Sequence, residues 1–145
     1  MRMMARIGMV LALGVFGLTS CGGGDDDAPI DSGVTVDAST PANYAGCTTF
    51  MDLTAAGATR TITAMDTLNW SPKCIQIKAG QSVTWSFTAS HPLGGAAANP
   101  TKEIVDKAVG PATYTLSGVG TYGFYCQVHG LANGSGMAGA VKVVP

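Results

Sequence analysis

The chain holds only two histidines, and both stand where a side chain could do chemistry. His91 lies in Ser90-His91-Pro92-Leu93-Gly94-Gly95, just after a run of alternating apolar residues. His129 closes Cys126-Gln127-Val128-His129, and Met137 follows eight residues later in Gly136-Met137-Ala138-Gly139. A soft thiolate, two imidazoles and a weak thioether form the donor set that holds copper in a trigonal two-nitrogen, one-sulfur site with a long axial sulfur. The thiolate holds the lower oxidation state without losing the higher one, and the imidazoles suit both, so such a metal changes charge with little ligand movement. His91, Cys126, His129 and Met137 are the candidate ligands. Serine, aspartate and tyrosine residues show no spacing of a triad or an acid–base pair, and Asp52, Asp66, Glu103 and Asp106 read as solvated surface charges.

The elements that must position these residues read as β-strands. From Cys47 onward, short β-branched and aromatic runs alternate with Gly, Pro, Asn and Ser, the pattern of an all-β sandwich or barrel. The expected strands are Thr59 to Ala64, Ile75 to Lys78, Ser82 to Thr88, Ala112 to Ser117, Gly120 to Val128 and Ala140 to Val144. In the third, Val83, Trp85 and Phe87 share one face; in the fifth, Tyr122, Phe124, Cys126 and Val128 do. Only Pro100 to Lys107 could hold a helical turn or two. No internal repeat is visible.

Upstream of this region the sequence changes character. Residues 1–20 carry Arg2 and Arg6, an apolar stretch from Ile7 to Leu18 and a small-residue exit, the layout of a secretory signal. The stretch is too short to span a bilayer comfortably. Leu18-Thr19-Ser20-Cys21 resembles the bacterial lipoprotein box, which implies a lipid on Cys21. Residues 21–44 begin Gly22-Gly23-Gly24-Asp25-Asp26-Asp27, are rich in Ala, Pro, Ser and Thr, and read as a solvated tether. Gly22, where an Asp would favour the inner membrane, leans towards the outer one. Residues 45–145 are then the folded domain. Cys47 and Cys74 form the natural disulfide pair in an oxidising compartment, which leaves Cys126 free for chemistry.

Composition excludes several classes. The chain has 145 residues, 46% hydrophobic and 12% charged, with a net charge of −1. That is enough apolar material for one core and no single-sign field of the kind that recruits nucleic acid. Of the first 20 residues 13 are hydrophobic, so part of the greasy composition is an export segment. Covalent haem attachment would need a second cysteine and an adjoining Cys-His step, which are absent.

Residues 45–145 resemble a cupredoxin, near the plastocyanin and pseudoazurin group. The resemblance is carried by Tyr122-Gly123-Phe124-Tyr125-Cys126, the Cys-x-x-His step, an upstream His at a strand end, and the ending Gly136-Met137-Ala138-Gly139-Ala140-Val141-Lys142-Val143. It implies a Greek-key sandwich of about seven or eight strands, one Cu(I)/Cu(II) ion on His91, Cys126, His129 and Met137, and an electron leaving through the exposed ring edge of the second histidine. Two features depart from the group. The loop from Gly130 to Gly136 is longer than usual. Pro92 stands where the residue after the first histidine usually donates a backbone N–H to the cysteine sulfur, and proline has none.

The small apolar residues beside the histidines, Leu93, Gly94 and Gly95 on one side and Leu131 and Ala132 on the other, are the expected docking patch for transient redox partners. With every ligand position filled by protein, no open site is left for a substrate, which argues against an enzyme. The expectation is a membrane-tethered, monomeric one-electron carrier on the periplasmic or cell-surface side. Two alternatives use the same ligands: copper binding for delivery, and a structural domain with zinc or no metal in the site.

Overall fold

The structure is a computed structural model and describes residues 40–145. The expected signal at residues 1–20, the expected lipid on Cys21 and the expected tether as far as residue 39 lie outside the described residues. Among the described residues no helix is long and apolar enough to cross a membrane.

Nine strands follow a single 3₁₀ turn at Tyr44–Gly46: β1 (Met51–Asp52), β2 (Thr61–Met65), β3 (Asn69–Ser71), β4 (Cys74–Lys78), β5 (Gln81–Ser86), β6 (Leu93–Gly95), β7 (Ala112–Leu116), β8 (Gly120–Gly130) and β9 (Gly136–Val144). They form two mixed sheets, ordered β1-β4-β9-β8-β6 and β3-β2-β5-β7. The all-β expectation holds, and all six expected strands are present with shifted ends. The strands not anticipated are β1, β3 and β6. The first two are only two and three residues long. Leu93-Gly94-Gly95 reads as a loop, since glycine is depleted in strands; it is a strand because it pairs with Phe124 to Cys126 of β8. β9 starts earlier than its Val-rich end suggests, because Met137-Ala138-Gly139-Ala140 has no β-branched residue to announce it.

Alternation in β5 buries Val83 and Trp85, and Phe87 just beyond it, as expected. These residues meet Ile75, Ile77, Tyr122, Phe124, Val141 and Val143 of the other sheet in one core. Phe124 is its hinge, with Trp70 and Trp85 standing edge-on to it at 5.6 and 5.4 Å, a geometry favoured by the ring quadrupoles. The outer face of the second sheet is hydroxyl-rich, with the pairs Ser82–Thr115 and Thr84–Thr113 each at 2.8 Å across strands.

Several expectations are corrected. Residues 100–107 form turns rather than a helix, closed by a bridge between Lys107 and Leu93. Val128 does not join the buried face of β8; it is 64% exposed, because the strand leaves its regular ladder after Tyr125. Glu103 is more than a solvated charge. It accepts from the backbone N–H of Ser117 at 3.0 Å, from the Ser117 hydroxyl, and from the Tyr122 hydroxyl at 3.2 Å. Partial burial pushes its carboxyl up, and the hydrogen bonds, led by Ser117, outweigh that and hold it below the usual carboxylate range. Asp52 and Asp106 likewise accept backbone N–H groups, from Thr54 at 2.9 Å and Gly95 at 3.1 Å.

Cys47 and Cys74 form a disulfide, which fastens the entering chain to β4. The packed region begins before residue 45: Thr40 and Tyr44 are buried. Thr40 donates its N–H to Ala98, and the Tyr44 hydroxyl donates to the carbonyl of Ala132 at 3.2 Å. Burial, aided by Tyr125, pushes the Tyr44 phenol up to about 12.

Candidate metal centre

The centre is built where β8 and β9 fall out of step. Their antiparallel pairing runs from Gly120 opposite Val143 to Tyr125 opposite Ala138, then shifts and resumes at Gly130 opposite Gly136. Between those points the four β8 residues 126–129 face one β9 residue, Met137. Extra residues on one strand bend it and re-aim its side chains. Cys126 keeps the inward direction of Tyr122 and Phe124 and is fully buried, whereas His129 is half-exposed. Two glycines make the return possible. A Cβ on Gly130 would collide with the Met137 carbonyl oxygen, and Gly136 sits in the left-handed region at φ 71° with the His129 carbonyl against it.

His91 arrives from the other side. It lies in the connection between β5 and β6, and its N–H donates to the Thr88 carbonyl at 3.0 Å. β6 pairs Leu93 with Cys126, and the N–H of Gln127 donates to the Pro92 carbonyl at 2.9 Å. That register lays His91 beside the excursion of β8 and buries it.

The three donors converge. The Cys126 Sγ is 3.9 Å from the His91 Nδ1 and 3.5 Å from the His129 Nδ1. All three ligand atoms lie within 4.8 Å of one another, and the imidazole centroids are 4.9 Å apart. For metal–nitrogen bonds of about 2.0–2.1 Å and a metal–sulfur bond of about 2.3 Å, angles between tetrahedral and trigonal separate nitrogen from sulfur by roughly 3.6–3.8 Å. The spacing fits one ion held by both Nδ1 atoms and the thiolate. Met137, buried and in the same core cluster as Cys126, stands in the strand facing this group.

The backbone at Pro92 explains what its missing N–H does. Leu93 exchanges both of its backbone bonds with Lys107, so its polar groups face away from β8. In an extended chain successive residues alternate direction. Pro92 therefore turns its carbonyl and its ring nitrogen towards β8, and only the carbonyl has a partner.

The docking patch is redrawn by burial. Leu93 is fully buried and Gly94 is buried, because β6 is a paired strand under Tyr125 rather than an open loop; Gly95 is half-buried. Leu131 and Ala132 are exposed as expected. The apolar surface beside the half-exposed histidine is made by Val128 and Leu131, at 64% and 60% exposure. Val128, His129, Gly130, Leu131, Ser135 and Gly136 line a shallow depression of about 330 Å³ there. None of these residues is an Asp, Glu, Lys or Arg. Two contributors were not legible in the sequence: Tyr44, which braces the Ala132 end of the loop, and Trp70, whose indole Nε1–H donates to the Met137 carbonyl at 3.2 Å.

No protein-family model and no curated protein matches the chain. Similar solved structures include a reduced amicyanin variant at 20% identity, covering 62% of this chain and 86% of that one with a TM-score of 0.44. Pseudoazurin from Methylobacterium extorquens AM1 shares 19% identity over 57% of this chain and 72% of its own, with a TM-score of 0.45. A purple cupredoxin from Nitrosopumilus maritimus shares 18% over 58% of this chain and 98% of its own, with a TM-score of 0.42. Amicyanin, pseudoazurin and the purple cupredoxin are similar to this chain in fold.

Proposed function

We propose that the chain is a type 1 copper protein that carries single electrons between redox partners, with His91, Cys126, His129 and Met137 as ligands. The observation that carries this reading is the convergence of two imidazole Nδ1 atoms on one buried thiol, at 3.9 and 3.5 Å. A soft thiolate with two imidazoles suits copper, and bound copper would supply a one-electron couple. The protein's part is mechanical and dielectric. The sandwich holds the ligands from three separate chain segments, so they stay in place whichever charge the site carries. Burial of Cys126 and His91 keeps water from the sulfur, and the half-exposed His129 ring gives electrons a short way out. Val128 and Leu131 would form the surface on which a transient partner sits.

The same reading places the domain on a membrane through a lipid on Cys21 and a tether, on the periplasmic or cell-surface side. What supports it is the basic, apolar, small-residue order of the first 20 residues and the core-less composition after Cys21.

The test is to load the full-length protein with Cu(II) and record its visible spectrum and voltammetry. An intense thiolate-to-copper charge-transfer band, lost in Cys126→Ser, with a reversible one-electron wave is expected. A colourless adduct, or copper readily surrendered to a competing chelator without reversible electrochemistry, would favour delivery or a structural role.

A further inference from the structure

We propose that Trp70 is the positioning residue that fixes the backbone of Met137 and so sets how closely its thioether approaches the metal. The inference rests on the copper reading and refines it. Met137 occupies an unusual place in β9. Pairing of β9 with β4 runs from Ala140 to Val144, and pairing with β8 stops at Ala138 and resumes at Gly136. Met137 is the one residue of β9 that is registered to neither neighbour. The residue whose sulfur is expected at the metal is therefore the one least held by the sheet. A long axial metal–sulfur bond is weak and cannot locate the chain by itself, so the protein has to.

Trp70 supplies the missing constraint. It lies in β3, at the edge of the opposite sheet, and its Nε1–H reaches across the sandwich to the Met137 carbonyl at 3.2 Å. The indole is buried and is itself held edge-on by Phe87 at 6.4 Å and Phe124 at 5.6 Å. A rigid donor clamped by two rings fixes the carbonyl it binds more firmly than a mobile side chain would. The bond is also no automatic result of burying a tryptophan: Trp85, in the same core, leaves its Nε1–H without a protein partner. Without Trp70 the buried Met137 carbonyl would lose a donor, and a backbone group in that position shifts to find another.

The experiment compares copper-loaded wild type, Trp70→Phe, Met137→Leu and the double variant by voltammetry and electron paramagnetic resonance. Trp70→Phe keeps an aromatic ring but removes the donor together with part of the buried ring volume, so benzothienylalanine at the same position is measured beside it to separate the two. The expected result is a raised reduction potential and an altered copper spectrum, because a thioether held less firmly donates less to the oxidised metal. Met137→Leu raises the potential too, and adding Trp70→Phe to it produces no further rise, the non-additivity of two changes acting through one contact. A Trp70→Phe protein with wild-type potential and spectrum, while Met137→Leu shifts both, overturns the proposal and leaves the copper reading standing. So does an additive double variant. Met137→Leu without effect removes the axial assignment and this proposal with it. A wild-type protein with no thiolate-to-copper band defeats the copper reading itself. Should Trp70→Phe fail to fold, benzothienylalanine at position 70 replaces the N–H by sulfur in a ring of the same shape, and the same outcomes apply.

Discussion

Pro92→Ala is the substitution that most directly joins the backbone geometry to the chemistry. Residue 92 turns its nitrogen towards β8, the strand that carries Cys126, and proline leaves that direction without a donor. Alanine restores an N–H there. If the new donor reaches the Cys126 sulfur, it stabilises the thiolate more strongly over Cu(I), where the sulfur keeps more negative charge, than over Cu(II). A hydrogen bond to a charged group contributes roughly 1.5–3 kcal/mol. A difference of about 1 kcal/mol between oxidation states is a reasonable share, and about 1.4 kcal/mol corresponds to about 59 mV for one electron. The reduction potential should therefore rise by roughly 40–50 mV. Protein-film voltammetry on matched samples measures this, with urea unfolding alongside, since the lost proline also costs about 0.4–1 kcal/mol through the unfolded chain. The competing destination is the Gln127 carbonyl, which a regular ladder would offer the same N–H. In that case stability recovers and the potential stays put. An unchanged or lowered potential refutes the reasoning.

Other expectations follow from the packing. Reducing or replacing the Cys47–Cys74 bridge, which spans 27 residues, should lower stability by roughly 3–4 kcal/mol in the chain-entropy model, read as a shift of the urea midpoint. Leu93→Ala should cost about 2–5 kcal/mol as a cavity in the core, whereas Leu131→Ala should leave the midpoint unmoved and weaken association with a redox partner; the opposite pattern would restore Leu93 to the surface. Glu103 has a folded pKa below its ordinary 4.5, so its contribution is present above about 4.5 and is lost as the pH falls through the lower folded value. Glu103→Gln should therefore lower the urea midpoint at pH 7 and narrow towards no difference in strong acid. A gap that persists unchanged at low pH would count against the hydrogen-bonded carboxylate.

How much of this was legible in advance depended on whether the signal was local. His91, Cys126, His129 and Met137 stand out because two histidines and, among the described residues, one unpaired cysteine leave few combinations, and because side-chain chemistry does not depend on knowing the fold. The disulfide followed from the places of Cys47 at the opening of the folded region and Cys74 ahead of a strand. The long strands showed themselves through alternation, as in Val83, Trp85 and Phe87, since each buried face is written in every second residue. Burial of Leu93 and Gly94 was not written anywhere near them. A short apolar loop and a short covered strand have the same composition, and only the placement of Tyr125 and Lys107 tells them apart.

The sequence by itself offered the candidate donors, the all-β class and the break in character ahead of the folded region, because residue type, periodicity and composition are properties of neighbouring positions. Tertiary structure decided the rest. It decided that four β8 residues would bulge against one residue of β9, that Val128 would face solvent instead of the core, and that Trp70 would reach from one sheet to the Met137 carbonyl in the other. Each of these depends on the register between strands distant in the chain. Register is fixed by the summed packing of the whole sandwich and by no single segment of it.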